Sequence, residues 1–196
     1  MQKFFILIVL SLFSRLSFGQ VQVYTPSLPT YTPNSNPTYN VYYNNQYGLS
    51  NISPSQTIKP NYNGGYNVYQ NNSYGLPNIT PSNTLNSNND GGYDNYENND
   101  YGLPNITPST TSKTNNQGGY DSYRVNQYGT TNITPQYVTK PNDHGGYDYY
   151  KTNQYGTSEI SPYMSTRVNY SGSVEFYQHN AYGLPALTPF KTVKPD

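Results

Sequence analysis

Apolar residues are concentrated in the first twenty positions of the chain and are thinly spread beyond them. The apolar run at residues 4–13 (FFILIVLSLF) follows a short basic start, and small residues precede Gln20 at the positions that signal peptidase reads. A membrane-spanning helix needs about 20 apolar residues, and Arg15 ends this run earlier. The pattern predicts a cleaved signal peptide over residues 1–19. We therefore expect a secreted or cell-surface protein, periplasmic or extracellular if the host is bacterial.

Beyond residue 36 the polar and apolar positions repeat every 27 residues, with no insertion or deletion. Each copy follows the pattern G-G-Y-[ND]-x-Y-x-x-N-x-Y-G-L-P-N-I-T-P-x-x-T-x-K, with deviations concentrated in the first and last copies, as is common in repeat arrays. The six tandem copies span residues 37–63, 64–90, 91–117, 118–144, 145–171 and 172–196. Residues 20–36 form a Pro- and Thr-rich lead-in outside the repeat.

Within one copy the pattern favours short strands over helices. Gly, Pro and Asn recur too densely for a helix, and no apolar stripe of period 3.6 is present. Residues 66–69 (YNVY) have the aromatic and β-branched side chains that suit a strand. A turn at residues 71–73 and a return at residues 74–76 would complete a small hairpin. Asn63-Gly64 is a strong turn signal between copies.

The prolines of each copy favour an extended, polyproline-like course and suit the edges of a sheet rather than its centre. One copy buries too little apolar surface to offset the ordering of its own backbone. We therefore predict a repeat protein low in regular structure, extended and polyproline-like, with a short β-hairpin in each 27-residue unit. The alternative is a β-rich stacked array, in which neighbouring copies supply the missing contacts and tyrosines stack between units.

Charge and cysteine content exclude several classes of protein. Charged residues make up 10% of the chain, the formal net charge is zero and mean hydropathy is −0.86. Without a basic stripe, binding to nucleic-acid phosphates is not expected. The chain has no cysteine, so disulfides and thiolate metal sites are excluded.

Reactive chemistry does not recur in the repeat. His144 and His179 are the two histidines, and neither has a counterpart in the other copies, so we interpret both as solvated polar residues. Acidic residues recur in register only at the fourth position of the unit, and no nucleophile motif or metal-ligand cluster is present. We expect no enzyme activity, no catalytic residue, no cofactor and no metal site.

The tyrosines are the candidate contact residues, because a tyrosine ring can stack while its hydroxyl forms hydrogen bonds. Packing within the repeat array is the equally weighted alternative. Two tyrosines recur in each copy, the one before Gly and the one five positions earlier: Tyr42, Tyr47, Tyr69, Tyr74, Tyr96, Tyr101, Tyr123, Tyr128, Tyr150, Tyr155, Tyr177 and Tyr182. A basic residue also recurs twelve positions after the Tyr-Gly tyrosine, except at Asn86.

In style, residues 37–196 resemble the Tyr- and Pro-rich tandem repeats of adhesive, eggshell and extracellular-matrix proteins. The resemblance implies a structural or adhesive role with tyrosine supplying cohesion. The alternative is a multivalent binding module for glycans or a cell-envelope partner, read by the Tyr-Gly-Leu-Pro segment. The expected partners are a second copy of the chain, or a matrix or glycan surface. We expect neither nucleic-acid binding nor a membrane span after signal cleavage.

Overall fold

The computed structural model describes residues 6–10, 21–25 and 37–196. Regular structure in these residues consists of strands alone. Every strand has five residues, and the bounds are β1 (Ile6–Leu10), β2 (Val21–Thr25), β3 (Tyr39–Tyr43), β4 (Gln56–Pro60), β5 (Tyr66–Gln70), β6 (Asn83–Ser87), β7 (Tyr93–Glu97), β8 (Thr110–Thr114), β9 (Tyr120–Arg124), β10 (Tyr137–Pro141), β11 (Tyr147–Lys151), β12 (Met164–Val168), β13 (Val174–Gln178) and β14 (Lys191–Pro195).

Strands β3 to β14 form one closed barrel of twelve antiparallel strands, two from each copy of the repeat. Neighbours in sequence are neighbours in the barrel, and β14 pairs with β3 to close it. Strands β1 and β2 pair with each other in a separate two-stranded sheet. β1 lies within the segment predicted to be a signal peptide, whereas the predicted cleavage site before Gln20 lies outside the described residues.

The prediction of an extended, polyproline-like chain low in regular structure is wrong. Ring closure gives every copy a neighbour on both sides, so the contacts that one copy lacks are supplied twice. The stacked-array alternative anticipated β structure but not a barrel closed around one axis. Strand prolines stand at the last position of a strand, as at Pro60, Pro141 and Pro195, where continuation of the strand is not needed.

The most extensive strand pairing crosses the boundary between copies. β4 and β5 pair over five residues each and are joined by the loop at residues 61–65. In this loop the side chain of Asn61 accepts hydrogen bonds from the backbone N–H of Asn63 and of Gly65, at 3.0 and 2.9 Å. Gly64 adopts a φ of 74°, a conformation that glycine reaches without steric cost. The turn predicted at Asn63-Gly64 is confirmed.

The predicted return strand at residues 74–76 is wrong. After β5 the chain makes one isolated bridge, between Asn71 and Pro77, and then a long connection leads to β6. β5 pairs with β4 and β6 instead. The backbone of β5 thus forms its hydrogen bonds with polar strands, such as β6 with the sequence NTLNS. The sequence pattern did not identify these polar segments as strands.

In strands such as β3, β5 and β11 the first and third side chains are buried in the interior and the second and fourth are more exposed. Most even-numbered strands, such as β4 and β6, bury their first three side chains. Ring pairs fill part of the interior, including Tyr39 with Tyr66 at a centroid distance of 6.3 Å and Tyr120 with Tyr147 at 6.4 Å. The buried apolar cluster consists of Tyr39, Val41, Ile58, Tyr66, Val68, Leu85, Tyr120, Tyr147, Tyr149, Met164, Val174, Phe176 and Val193. Aromatic side chains thus form much of the core.

Candidate functional site

Six long connections leave the barrel at the same end. Each follows an odd-numbered strand from β3 to β13, and odd-numbered strands of an antiparallel barrel all run in one direction. Each connection holds one Tyr-Gly pair and one Ile/Leu-Ser/Thr-Pro segment. They span residues 44–55, 71–82, 98–109, 125–136, 152–163 and 179–190. The repeat therefore presents the same loop six times around one rim.

A side-chain hydrogen bond fixes the shape of each rim loop. The Oδ1 atom of Asn45 accepts from the backbone N–H of Tyr47 at 2.9 Å and of Leu49 at 3.1 Å. The same pair of bonds recurs at Asn72, Asn99, Asn126, Asn153 and Asn180. An Asn that caps its own turn in this way is a common turn-forming device. The asparagine two positions before the Tyr-Gly tyrosine is therefore a structural residue that orients the loop.

Neighbouring rim loops are in contact. The glycine of each Tyr-Gly pair packs against the Ser/Thr-Pro segment of the preceding copy: a Cβ added to Gly183 would lie 2.8 Å from the Cβ of Ser161. The same contact joins the ends of the chain, since a Cβ on Gly48 would lie 3.0 Å from the Cβ of Thr188. The six loops thus form a continuous ring.

The apolar side chains of this ring are exposed to solvent. The six Tyr-Gly tyrosines are between 72% and 85% exposed, and the isoleucine or leucine five positions later is between 98% and 101% exposed in every copy. Four leucines after the Tyr-Gly pairs are 61–65% exposed. We call this set the apolar ring: Tyr47, Tyr74, Tyr101, Tyr128, Tyr155, Tyr182, Leu49, Leu76, Leu103, Leu184, Ile52, Ile79, Ile106, Ile133, Ile160 and Leu187. Large exposed apolar sets commonly mark interaction surfaces.

The ring carries almost no charge. Asp100 and Glu159 are the acidic residues of the six connections, and these connections contain no lysine or arginine. Between the apolar side chains stand Asn, Ser, Thr and Gln, which are neutral. The ring therefore offers apolar and hydrogen-bonding contacts rather than ion pairs.

The other six candidate tyrosines lie on the outer wall of the barrel. Here the recurring basic residue of one copy reaches the tyrosine of the next, as with Lys59 over Tyr69 at 5.2 Å from the ring centroid. The same contact is made by Lys113 with Tyr123, Lys140 with Tyr150, Arg167 with Tyr177 and, across the closure, Lys194 with Tyr42. The copy that has Asn86 in place of the basic residue precedes Tyr96, the sixth tyrosine of this class. Five of these tyrosines thus contact the basic side chain of the neighbouring copy.

The interpretation of both histidines as solvated is wrong for His179. Its Nδ1 lies 2.9 Å from the carbonyl oxygen of Gly183, and its Nε2 lies 2.9 Å from the Oγ of Ser165. Asn71 makes the equivalent two bonds with its Nδ2, to the oxygen of Gly75 and the Oγ1 of Thr57. His179 is therefore a substitute for a structural asparagine. His144 is exposed, in a loop at the opposite end of the barrel.

The recurring acidic residues also have partners. The side-chain amide of an asparagine six positions earlier donates to each of them, as from Asn142 to Asp148 at 3.1 Å and from Asn169 to Glu175 at 2.9 Å. Asp94 and Asp121 accept the same bond. These carboxylates therefore stabilise the hairpin loops at the end opposite the apolar ring.

Lys191 is an ionisable residue that the repeat pattern did not reveal. It is 1% exposed, at an inward position that Met164 occupies in the preceding copy. Its Nζ lies 4.5 Å from the ring centroid of Phe176 and 5.5 Å from that of Phe190. No hydrogen-bond partner for this atom exists among the described residues. Burial lowers the pKa of Lys191 to about 7, because the charged form loses its hydration.

Burial acts in the opposite direction on the interior tyrosines. It raises the pKa of Tyr147 to about 12 and that of Tyr163 well above the ordinary value, with Tyr137 and Tyr149 adding to the effect at Tyr163. The interior therefore disfavours charge of either sign.

Within residues 6–10, 21–25 and 37–196, no group of three or more His, Asp or Glu side chains is arranged to hold a metal ion. A helix of the length and apolar character needed to cross a membrane is likewise absent from the described part of the chain.

Comparison of the chain with models of known protein families and with curated proteins found no match in either case.

Proposed function

We propose that this chain is a secreted, non-enzymatic adhesion protein that attaches to a surface through the apolar ring. The observation that carries the proposal is the sixfold display of exposed Tyr and Ile or Leu side chains at one end of the barrel. Solvent exposure of that many apolar side chains is unfavourable in water, and covering them by a partner removes the cost.

The loops are suited to multivalent binding. Each one is held by its own asparagine and by contact with its neighbour, so little conformational freedom remains to be lost when a partner covers it. Six weak contacts on one rigid frame act together, and the second and later contacts form at high effective concentration. The same six loops could therefore serve both a structural or matrix role and a multivalent binding role.

The remaining polar residues have structural roles that are consistent with a non-enzymatic protein. His179 joins its own connection to strand β12, and the recurring carboxylates each accept a hydrogen bond from an asparagine. Secretion rests on the predicted signal peptide. We expect the purified secreted protein to begin at Gln20, which N-terminal sequencing checks.

The test of adhesion varies the number of intact rim loops. Tyr and Ile or Leu of the apolar ring are changed to Ser in one, three or all six copies, and retention on polysaccharide, lipid and plastic surfaces is measured. Under the proposal, the variant with three altered loops binds with less than about a third of the affinity of the variant with one altered loop. The loss exceeds the loss of contacts because the six contacts bind cooperatively through avidity. Retention that is equal in the unaltered and the six-loop protein would contradict the role of the ring. Hydrolase activity lost on His179→Asn would contradict the non-enzymatic assignment.

A further inference from the structure

The isoleucines of the apolar ring protrude singly. Ile52 is 101% exposed and Ile79 is 99% exposed, so neither is covered by its own loop or by the next one. The isoleucine or leucine at this position is 98–101% exposed in every copy, so these six side chains form a circle of separate apolar points. A folded protein would need a separate pocket for each point. A fluid hydrocarbon interface accepts such points in any rotational setting and needs no matching shape.

The chemistry of the ring matches the layers of a lipid surface. Isoleucine and leucine side chains have neither a stacking face nor a hydrogen-bonding group for a sugar, but they partition into hydrocarbon. The tyrosines of the same loops combine an apolar ring with a hydroxyl, which suits the boundary between hydrocarbon and headgroups. The Oδ1 atoms of the loop asparagines, such as Asn45, are already hydrogen-bonded to the backbone, which reduces the cost of removing them from water.

The charge of the ring selects the kind of lipid. Lysine and arginine side chains are what draw a protein to anionic membranes, and the six connections have none. Asp100 and Glu159 would be repelled by anionic headgroups. Lys59 and Lys140 lie over wall tyrosines on the strands, away from the rim loops. Arg124 and Lys151 end β9 and β11 at the rim, where Arg124 donates to Gln136 and Lys151 lies over Tyr163. With Glu97 at the end of β7 and the two acidic residues of the loops, the rim has no net positive charge.

We propose that the apolar ring docks on the surface of an uncharged lipid layer, with the six Ile or Leu side chains entering the interface together. This inference rests on the proposed adhesive function and names its partner. Docking is driven by apolar contact, so it is insensitive to salt and is not strengthened by anionic lipid.

The experiment uses residues 37–196, whose twelve strands pair only with one another, so that the apolar run at residues 4–13 cannot contribute. Binding to phosphatidylcholine vesicles is measured by co-sedimentation at low and high salt, with and without phosphatidylserine. The test variant changes the six exposed Ile and Leu residues to Ser: Ile52, Ile79, Ile106, Ile133, Ile160 and Leu187. The matched control changes Tyr62 and Tyr170, fully exposed at the opposite end of the barrel, to Ser.

We expect the unaltered barrel and the control to bind phosphatidylcholine equally at both salt concentrations. The six-Ser variant is expected to lose about 100-fold or more in partition coefficient. Its circular dichroism should match that of the unaltered barrel, since the changed side chains make no internal contacts.

Failure of the lipid inference and failure of the adhesive function give different results. Binding that needs phosphatidylserine and disappears with salt, or that the six-Ser variant retains, overturns the lipid inference. Binding to an insoluble polysaccharide but not to vesicles, lost in the six-Ser variant, overturns the lipid inference and keeps the adhesive function. A dimer in light scattering that the six-Ser variant abolishes means that a second copy covers the ring, and it also overturns the lipid inference. Absence of ring-dependent binding in every assay overturns both.

Discussion

Lys191 places a basic group in the barrel interior without a counter-ion or hydrogen-bond acceptor at its Nζ among the described residues. The rings of Phe176 and Phe190 are its compensating contacts. Contact with aromatic faces recovers part of the lost hydration of an ammonium group, but not all of it. Lys191 is therefore a residue whose protonation state is linked to the stability of the fold.

The free energy of unfolding should rise with pH because of Lys191. Its pKa is about 7 in the folded protein, against the ordinary 10.5, so between these values the unfolded chain binds more protons. Unfolding free energy then rises by up to about 1.4 kcal/mol per pH unit in this window. Chemical denaturation at pH 6 to 9.5 measures the slope, below the range in which ionising tyrosines reverse it.

Lys191→Met should remove this slope and raise the stability near pH 6 by a few kcal/mol. Met164 fills the equivalent position in the preceding copy, so the substitution is compatible with the fold. Lys151→Met, at an exposed lysine, is the control and should leave the slope unchanged. An unchanged slope in Lys191→Met would contradict the assignment.

Stability should fall again in strongly alkaline solution. Tyr147 has a folded-state pKa of about 12, above its ordinary value of 10.0, so the folded state keeps a proton that the unfolded state releases. The stabilisation by this proton is complete below pH 10 and is lost as the pH rises through 12. The Lys191 and tyrosine effects together place the stability maximum near the upper end of the Lys191 window.

His179→Asn should be tolerated, whereas His179→Ala should not. Asparagine at this position would bond Gly183 and Ser165 as Asn71 bonds Gly75 and Thr57. Alanine removes this partner from the carbonyl oxygen of Gly183 and from the hydroxyl of Ser165, and should cost about 1–3 kcal/mol in unfolding free energy. Urea denaturation of the two variants at one pH provides the comparison. Equal destabilisation by Asn and Ala would show that the two hydrogen bonds do not matter.

The sequence identifies recurring residues better than it identifies their partners. The period located the rim tyrosines and the basic residue at Lys59, but it did not show that Lys59 contacts Tyr69 of the next copy. His179 departs from the repeat in residue type, but its two hydrogen bonds are equivalent to those of the asparagine in other copies. This equivalence is visible in the structure and not in the sequence. Lys191 replaces a different residue type in each copy, so no recurrence marked it as interior.

At the scale of elements, the hairpins depend on two glycines with different requirements. Gly64 needs its positive φ of 74°, and a Cβ there would meet its nearest atom at 3.8 Å. Gly65 needs space, since its Cβ would lie 1.9 Å from the carbonyl oxygen of Leu85. The first glycine of the pair is thus required by its positive φ, and the second is required because the backbone of the neighbouring strand leaves no room for a Cβ atom.

Gly65→Ala should therefore be more damaging than Gly64→Ala. At Gly65 the clash is with backbone, so β5 and β6 must separate, at a cost of about 2–4 kcal/mol. At Gly64 only the conformational strain applies, about 1–2 kcal/mol. Thermal unfolding followed by circular dichroism ranks the two variants. The reverse ranking would place the main constraint in the turn conformation rather than in the strand approach.

The sequence predicted half of the hairpin arrangement. Asn63-Gly64 signalled the short loop, because the conformation of the turn is encoded by its own residues. The partner of β5 was misassigned, because β4 and β6 are rich in Thr, Asn, Gln and Ser and show little apolar alternation. Their inward positions are filled in part by polar side chains such as Gln56 and Asn83, which are buried.

At the scale of the molecule, the barrel is closed by a pairing between the two ends of the repeat array. β14 and β3 pair over five residues, as β4 and β5 do, but without a connecting loop. The backbone N–H of Asp196 donates to the oxygen of Thr38 at 2.9 Å, just as that of Asn61 donates to Gly65 at 2.9 Å. No pattern within one copy could indicate this closure, because an open array and a ring have the same repeat sequence.

Because the barrel is closed, the chain could begin and end in any of the hairpin loops without changing the strand pairing. A permuted chain would run from residue 144 to 196, continue through a three-residue linker copied from residues 62–64, and end with residues 38–143. The linker completes the loop that is missing between Asp196 and Thr38, and the new ends fall in the exposed loop between β10 and β11. The number of closed loops is unchanged, so loop entropy changes little.

The permuted chain should therefore unfold in one cooperative transition, with an unfolding free energy within about 1 kcal/mol of the unpermuted residues 37–196. Deletion of residues 191–196 is the opposite test, because it removes β14 and leaves β3 and β13 each with an unpaired edge. That variant should lose the cooperative transition or aggregate. In an open array the ends would lie far apart, the linker would pull them into strain, and the deletion would cost only one terminal strand. Circular dichroism melts of the three proteins distinguish the ring from the array.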